Sequence, residues 1–191
     1  MLIRKQKQSR PRSHYPKTLT EAHIDQLLSL SAEHPGMRDL HEVLQIVLNT
    51  GARVGELCEV RWTDVDFPKQ SLSVTANSGN VRHVPIDLET LRVLKERHRR
   101  HPESEYVLGT SPRVMLNRVS HKLAMLSISI GIDRISLHML RSTFIERLVS
   151  AEADTSLVMY ICGFSSNGLL GTYLSNSFPK VSTSIQMRPN L

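Results

Sequence analysis

A chain of 191 residues, 40% of them hydrophobic, can bury one good core with a short arm attached. No apolar run is long enough to span a bilayer and Met1-Leu2-Ile3 is too short for a signal peptide, so neither a membrane-spanning nor an exported chain is expected. The net charge of +6 sits at one end: residues 1–17 carry Arg4, Lys5, Lys7, Arg10, Arg12 and Lys17 without an acid, and the basic residues left over balance the 18 acidic ones.

An arm of that composition commonly lies along a phosphate backbone, although a disordered solubilising tail has the same composition. Beyond it, Thr20 is placed to cap a first helix, with Glu21 favouring the dipole and Ile24, Leu27 and Leu28 forming an apolar stripe. His34-Pro35-Gly36 ends that helix. From Asp39, the run Leu40, Val43, Leu44, Ile46, Val47, Leu48 is apolar over most of its circumference, which marks a central buried helix. Thr50-Gly51-Ala52 breaks it, and a further helix starts at Arg53 and carries Leu57, Cys58 and Trp62. Residues 72–75 and 82–86 alternate like strands, with turn chemistry in Asn77-Ser78-Gly79-Asn80, so a β-hairpin is expected.

Asp87 caps the next helix, with Leu88, Leu91 and Leu94 inside and a basic far end over 95–101 that reads as a solvated cluster favoured by the dipole. Ser111-Pro112 opens another, with Met115, Val119, Leu123 and Leu126 at helical spacing. A helix with His138 and Arg141 buries Leu140, Phe144 and Leu148. Asp154 caps a short one holding Leu157, Val158 and Ile161, which Gly163 stops. The last helix contains Tyr173, with Gly168 and Gly171 close by, each costing about 1 kcal/mol relative to alanine, so this segment is expected to be weakly held. Cys58 and Cys162 each have apolar neighbours at helical spacing and read as reduced core residues of a cytosolic protein, not as a disulfide or metal pair.

Two short patterns invite chemistry. Arg53 stands at a helix start, where the dipole makes a cation awkward, so it reads as aimed at an anion with Glu56 one turn later to orient it. An ordinary surface ion pair has the same spacing. His138 and Arg141 are three apart and share a helix face. A guanidinium that forks onto two oxygens, beside an imidazole that exchanges a proton, suits a phosphate. Taken alone, the pattern reads better as a helix cap and a solvated charge, since His-x-x-Arg occurs by chance everywhere.

In order, Thr50-Gly51-Ala52-Arg53-Val54-Gly55-Glu56-Leu57, His138-Met139-Leu140-Arg141 and the tail from Gly163-Phe164-Ser165-Ser166 to Tyr173 resemble the tyrosine recombinase or phage integrase family. That family includes phage integrases, chromosome-dimer-resolving recombinases and the short fimbrial invertases. Its nucleophilic tyrosine comes nine residues after a His or Trp, and Tyr173 comes nine after Phe164. The resemblance implies an α+β, mostly helical catalytic-domain fold with a small antiparallel sheet over residues 18–178, between the arm 1–17 and a tail 179–191.

It also implies site-specific recombination or integration of double-stranded DNA through a 3′-phosphotyrosine intermediate. The implied setting is a homo-oligomer or hetero-assembly on DNA in the cytoplasm, at the nucleoid, of a bacterial or phage system or mobile element. No metal, cofactor, membrane or small-molecule substrate is implied. By the same resemblance Arg53 and Arg141 clamp the phosphate, His138 assists binding and proton transfer, Tyr173 is the nucleophile and Glu56 supports Arg53. Arg82 and the basic residues of the arm are the implied DNA contacts. The chemistry is coherent: a phosphotyrosine conserves bond energy for later attack by a 5′-hydroxyl, while two arginines neutralise the charge building on the non-bridging oxygens.

Two positions depart from the family pattern. The lysine of the hairpin, which protonates the leaving 5′-oxygen, falls on Asn77, or on Ala76 if the register slips. Phe164 stands where a His or Trp hydrogen-bonds the phosphate, keeping the volume and losing the donor. Each loss is typically worth about 10²–10⁴ in rate. They imply an alternative: a catalytically impaired relative that acts as a DNA-binding or recombinase-partner regulator.

Overall fold

The computed structural model describes residues 18–76, 78–109, 111–166 and 170–171. Thr20 accepts the His23 amide at 3.2 Å and starts α1 (Glu21–Glu33), which buries Ile24 and Leu27. A single 3-10 turn, Pro35–Met37, leads into α2 (Arg38–Thr50), which is buried without interruption over residues 42–48. This is the central helix its apolar circumference predicts: α1, α4 (Leu88–Arg100), α5 (Pro112–Ser129) and, most extensively, α6 (Leu137–Ser150) pack around it.

Gly51 closes α2 at φ +60°, with its N–H on the Val47 carbonyl at 2.9 Å. A Cβ there would lie 2.2 Å from Cδ1 of Phe144 on α6. Gly51→Ala therefore combines a left-handed backbone with overpacking, and should cost about 2–4 kcal/mol of stability. A urea midpoint equal to that of the wild type would refute this reading of the α2–α6 contact.

The helix expected to reach Trp62 stops earlier: α3 spans Val54–Glu59. Val60 accepts the Val107 amide at 2.9 Å and the Trp62 N–H donates to Glu105 at 3.1 Å, so strand-like pairing with a distant loop competes successfully with the helix. Then come β1 (Val65–Asp66), β2 (Ser71–Thr75) and β3 (Val81–Pro85), an antiparallel sheet in the order β1-β2-β3. The β2–β3 hairpin is the expected one, and β1 is an addition to it. Leu72, Val74, Arg82 and Val84 form the inward face, because side chains alternate along a strand.

Asp87 caps α4 (Leu88–Arg100), accepting the Thr90 amide at 2.7 Å. Leu91 and Leu94 are buried as expected, but Leu88 is exposed in the first turn. The basic end is not simply solvated. Arg97 is only 2% exposed, and it donates to the Val107 carbonyl at 2.6 Å and to Glu42 and Asp39 of α2 at 2.5 and 3.1 Å. Burial of Glu42 on the central helix demands cationic partners, and Arg97, with Arg100 beside it, supplies them.

α5 (Pro112–Ser129) buries Met115, Val119, Leu123 and Leu126. α6 (Leu137–Ser150) starts at Ser136, whose hydroxyl accepts the Met139 amide, and buries Leu140, with Phe144 and Leu148 packed against the core. α7 (Thr155–Cys162) is capped by Asp154, buries Val158 and Ile161, and leaves Leu157 exposed, contrary to expectation. Cys58 and Cys162 are buried and free. No helix among the described residues is long and apolar enough to cross a membrane. The basic arm 1–17, Asn77, Gly168, Tyr173 and the tail 179–191 lie outside the described residues.

Candidate active site

A helix C-terminus leaves carbonyls without intrahelical partners and carries a partial negative charge of about half a unit. At the end of α7, three successive carbonyls accept from three different arginines. Ile161 accepts from Arg82 Nε at 2.9 Å, Cys162 from Arg141 Nη2 at 2.7 Å, and Gly163 from Arg53 Nη2 at 2.9 Å. The arginines come from β3, α6 and the residue before α3, and mutual repulsion would otherwise drive them apart. Gly163, at φ +63°, leaves the necessary room: a Cβ there would sit 3.0 Å from Cζ of Arg82 and 3.1 Å from Nη1 of Arg53.

Glu56 is the counter-charge. It is 4% exposed and grips Arg82 at both oxygens, at 3.0 and 2.7 Å. The same two oxygens accept Arg53 Nη1 at 2.9 Å and the Arg53 backbone N–H at 2.8 Å. Burial pushes the Glu56 carboxyl up, but the hydrogen bonds from Arg82 and Arg53 outweigh it and hold the group below its ordinary value of 4.5. A carboxyl lowered by folding contributes stability that is full above that ordinary value and is lost as pH falls through the folded value. Acid titration should therefore leave the unfolding free energy level until about pH 5 and then lower it, more steeply in wild type than in Glu56→Gln. Parallel curves for the two proteins would show that Glu56 is not the linked group.

Three guanidiniums against one carboxylate leave this cluster positively charged. It borders a cleft of about 360 Å³ lined by Ala52, Arg53, Val54, Leu137, His138, Arg141 and Phe164. The Arg53 side chain is 41% exposed, whereas Arg141 is buried, its Nη1 on the Gly51 carbonyl. Burial first, then the charges of Arg141 and Arg53, push the His138 imidazole below its ordinary value of 6.5. An anion entering the cleft would offset the two arginines and raise the imidazole's affinity for a proton. Burial likewise pushes the Cys162 thiol up to about 11, which makes it an inert packing group.

The structure thus brings together Arg53, His138, Arg141 and Phe164 from three separate segments, with Glu56 behind Arg53. The Phe164 ring packs against Arg141, its centroid 5.7 Å from Cζ, and it offers the cleft no donor. Arg82, expected at the DNA surface, is instead 5% exposed with its donors on Glu56 and Ile161. Period-two alternation was the available signal, since the register that buries Val84 buries Arg82 too. The α7 carbonyls gave no signal at all, because every residue has one.

The phage integrase family model matches residues 17–179. This chain belongs to the phage integrase family. It is similar to the tyrosine recombinase XerC of Roseiflexus sp. (strain RS-1), 26% identical over an alignment 165 residues long, which covers 79% of this chain and 52% of that protein. The chain spans about half the length of the curated relatives it matches. Among solved structures, XerA recombinase superposes with a TM-score of 0.71 at 20% identity, over 92% of this chain and 67% of that one. The Tn1549 transposon integrase in complex with circular intermediate DNA also gives 0.71, at 21% identity, over 84% of this chain and 62% of its own. At those identities the likeness is one of fold: the mostly helical tyrosine recombinase catalytic domain with a small antiparallel sheet, as its motifs imply.

Proposed function

We propose that this chain cleaves and rejoins double-stranded DNA in site-specific recombination, through a 3′-phosphotyrosine on Tyr173. One observation carries the reading: the carbonyls at the end of α7 hold Arg53 and Arg141 beside His138 around a positively charged cleft, and Gly163, the last of them, comes ten residues before Tyr173. In this mechanism a scissile phosphate enters the cleft and the two arginines bind its non-bridging oxygens, offsetting the charge that grows in the transition state. The Tyr173 oxygen attacks phosphorus, its proton passing to His138 or to solvent, while the bond to the 5′-oxygen breaks and that oxygen takes up a proton. Attack by a 5′-hydroxyl on the phosphotyrosine then restores the DNA backbone and releases the tyrosine.

The catalytic domain in this reading covers residues 18–178, and Arg4, Lys5, Lys7, Arg10, Arg12 and Lys17 of the arm follow the DNA backbone. The DNA-bound structure among the relatives supports double-stranded DNA as partner. Two cleavage sites per exchange favour a homo-oligomer or hetero-assembly on it. Work on cellular DNA puts the chain in the cytoplasm, at the nucleoid.

A second reading, a DNA-binding regulator of a partner recombinase, is favoured by Phe164, whose apolar ring forms part of the cleft wall. A nicked suicide DNA substrate, which loses its 5′-end after cleavage, separates the two. An adduct that survives denaturation with SDS supports strand cleavage. Binding without adduct, on ordinary DNA and on DNA activated by a bridging 5′-phosphorothiolate, supports the regulator.

A further inference from the structure

We infer that Arg82 is a positioning residue for the cleft: by gripping Glu56 with both terminal guanidinium nitrogens, it keeps that carboxylate from drawing Arg53 into a two-point side-chain pair, and so keeps Arg53 turned to the anion. The inference deepens the proposed function in one respect, since it takes the anion to be the phosphate of that reading. A carboxylate offers about four acceptor positions. On Glu56 all four are taken, by Arg82 Nη1 and Nη2, by Arg53 Nη1 and by the Arg53 backbone N–H. Arg53 therefore receives a single side-chain contact from Glu56, and its Nη2 is left for the Gly163 carbonyl.

Arg82 itself does not line the cleft. Its third donor, Nε, reaches the Ile161 carbonyl at 2.9 Å, and the next residue, His83, donates its N–H to the Tyr160 hydroxyl at 3.0 Å. Two successive residues of β3 are thus fastened to the end of α7. Removing Arg82 opens two acceptor positions on a carboxylate whose side chain is 3% exposed. An uncompensated buried charge recruits the nearest cation, and that cation is Arg53, already 2.9 Å away. A fork-to-fork pair is the favoured geometry for arginine and carboxylate, so Arg53 leaves Gly163 and turns its second nitrogen inward. The cleft then keeps the residue and loses its charge.

The test uses the full chain and inorganic phosphate, titrated while the His138 ring signals are followed by NMR, with far-UV circular dichroism to verify folding. Arg82→Gln should weaken phosphate binding about tenfold or more, the effect of one lost charge-assisted hydrogen bond. Adding Glu56→Gln to it removes the charge that recaptures Arg53 and should restore most of the affinity. A merely structural role predicts the opposite, since a second buried change would add damage. Phosphate affinity unchanged in Arg82→Gln overturns the inference, and so does a folded double variant as weak as the single one.

Should Arg82→Gln not fold, Arg82→Lys replaces it, keeping the charge but gripping Glu56 at one point. Its phosphate affinity should fall below wild type, and equality overturns the inference. DNA adduct formation is measured on the same proteins. A phosphate series that behaves as expected, with no adduct from wild type, removes the strand-cleavage reading and leaves the role of Arg82 standing. Adduct from wild type, with phosphate affinity indifferent to Arg82, does the reverse.

Discussion

Arg141→Lys should lower the single-turnover rate of DNA cleavage by about 10²–10³ while the chain stays folded. Arg141 is 4% exposed and spans two carbonyls, Gly51 at the break after α2 and Cys162 at the end of α7. Lysine keeps the charge but gathers its donors at one point, so it cannot hold both carbonyls and still face the cleft. One buried carbonyl loses its partner, which costs about 1–3 kcal/mol of stability. The larger consequence is kinetic, because the transition-state oxyanion loses a fixed donor. Cleavage within a few-fold of wild type, at comparable melting temperature, would show that Arg141 holds the fold and does nothing for the phosphate.

The opposite sign is expected of Asn77→Lys combined with Phe164→His. On ordinary DNA the pair should raise cleavage by about 10²–10⁴, because it supplies a leaving-group acid and a phosphate donor. Phe164 lines the cleft against Arg141, so an imidazole of similar volume presents its N–H to the same space. The hairpin loop between β2 and β3 is closed by Ala76 N–H on the Asn80 carbonyl at 2.9 Å. On DNA with a bridging 5′-phosphorothiolate the gain should be far smaller, because a good leaving group needs no proton. By the same logic wild type should cleave the activated substrate better than the natural one. Equal rates on both would mean that a proton donor is already present. Arg82 is not available for that task, with its donors on Glu56 and Ile161, which leaves His83, whose Nδ1 lies 3.1 Å from Ser73 Oγ on the outer face of the hairpin.

Local sequence carried most of the architecture. The apolar circumference of residues 40–48 announced the central helix, and Asn77-Ser78-Gly79-Asn80 announced the hairpin, since both signals come from neighbours along the chain. The premature end of α3 was illegible for the converse reason: pairing with residues 105–107 decides it. Arg97 failed in the same way, because a cationic helix end looks solvated until Glu42 is found beneath it. The family motifs named Arg53, His138 and Arg141, but not the fixture that gathers them. A carbonyl at a helix end is invisible in residue identities, and so is the difference between an arginine that faces a phosphate and one that holds its neighbour in place.

In the proposed function the cleft serves the tyrosine that follows it. The most direct measurement is proteolysis and mass spectrometry of the adduct formed on a nicked suicide substrate, run beside Tyr173→Phe, which removes the nucleophile and retains the ring. Wild type should carry the nucleotide on the peptide containing Tyr173. The Phe variant should bind the same DNA and form no adduct. An adduct on another residue, or one that persists in Tyr173→Phe, would rule out Tyr173 as the nucleophile.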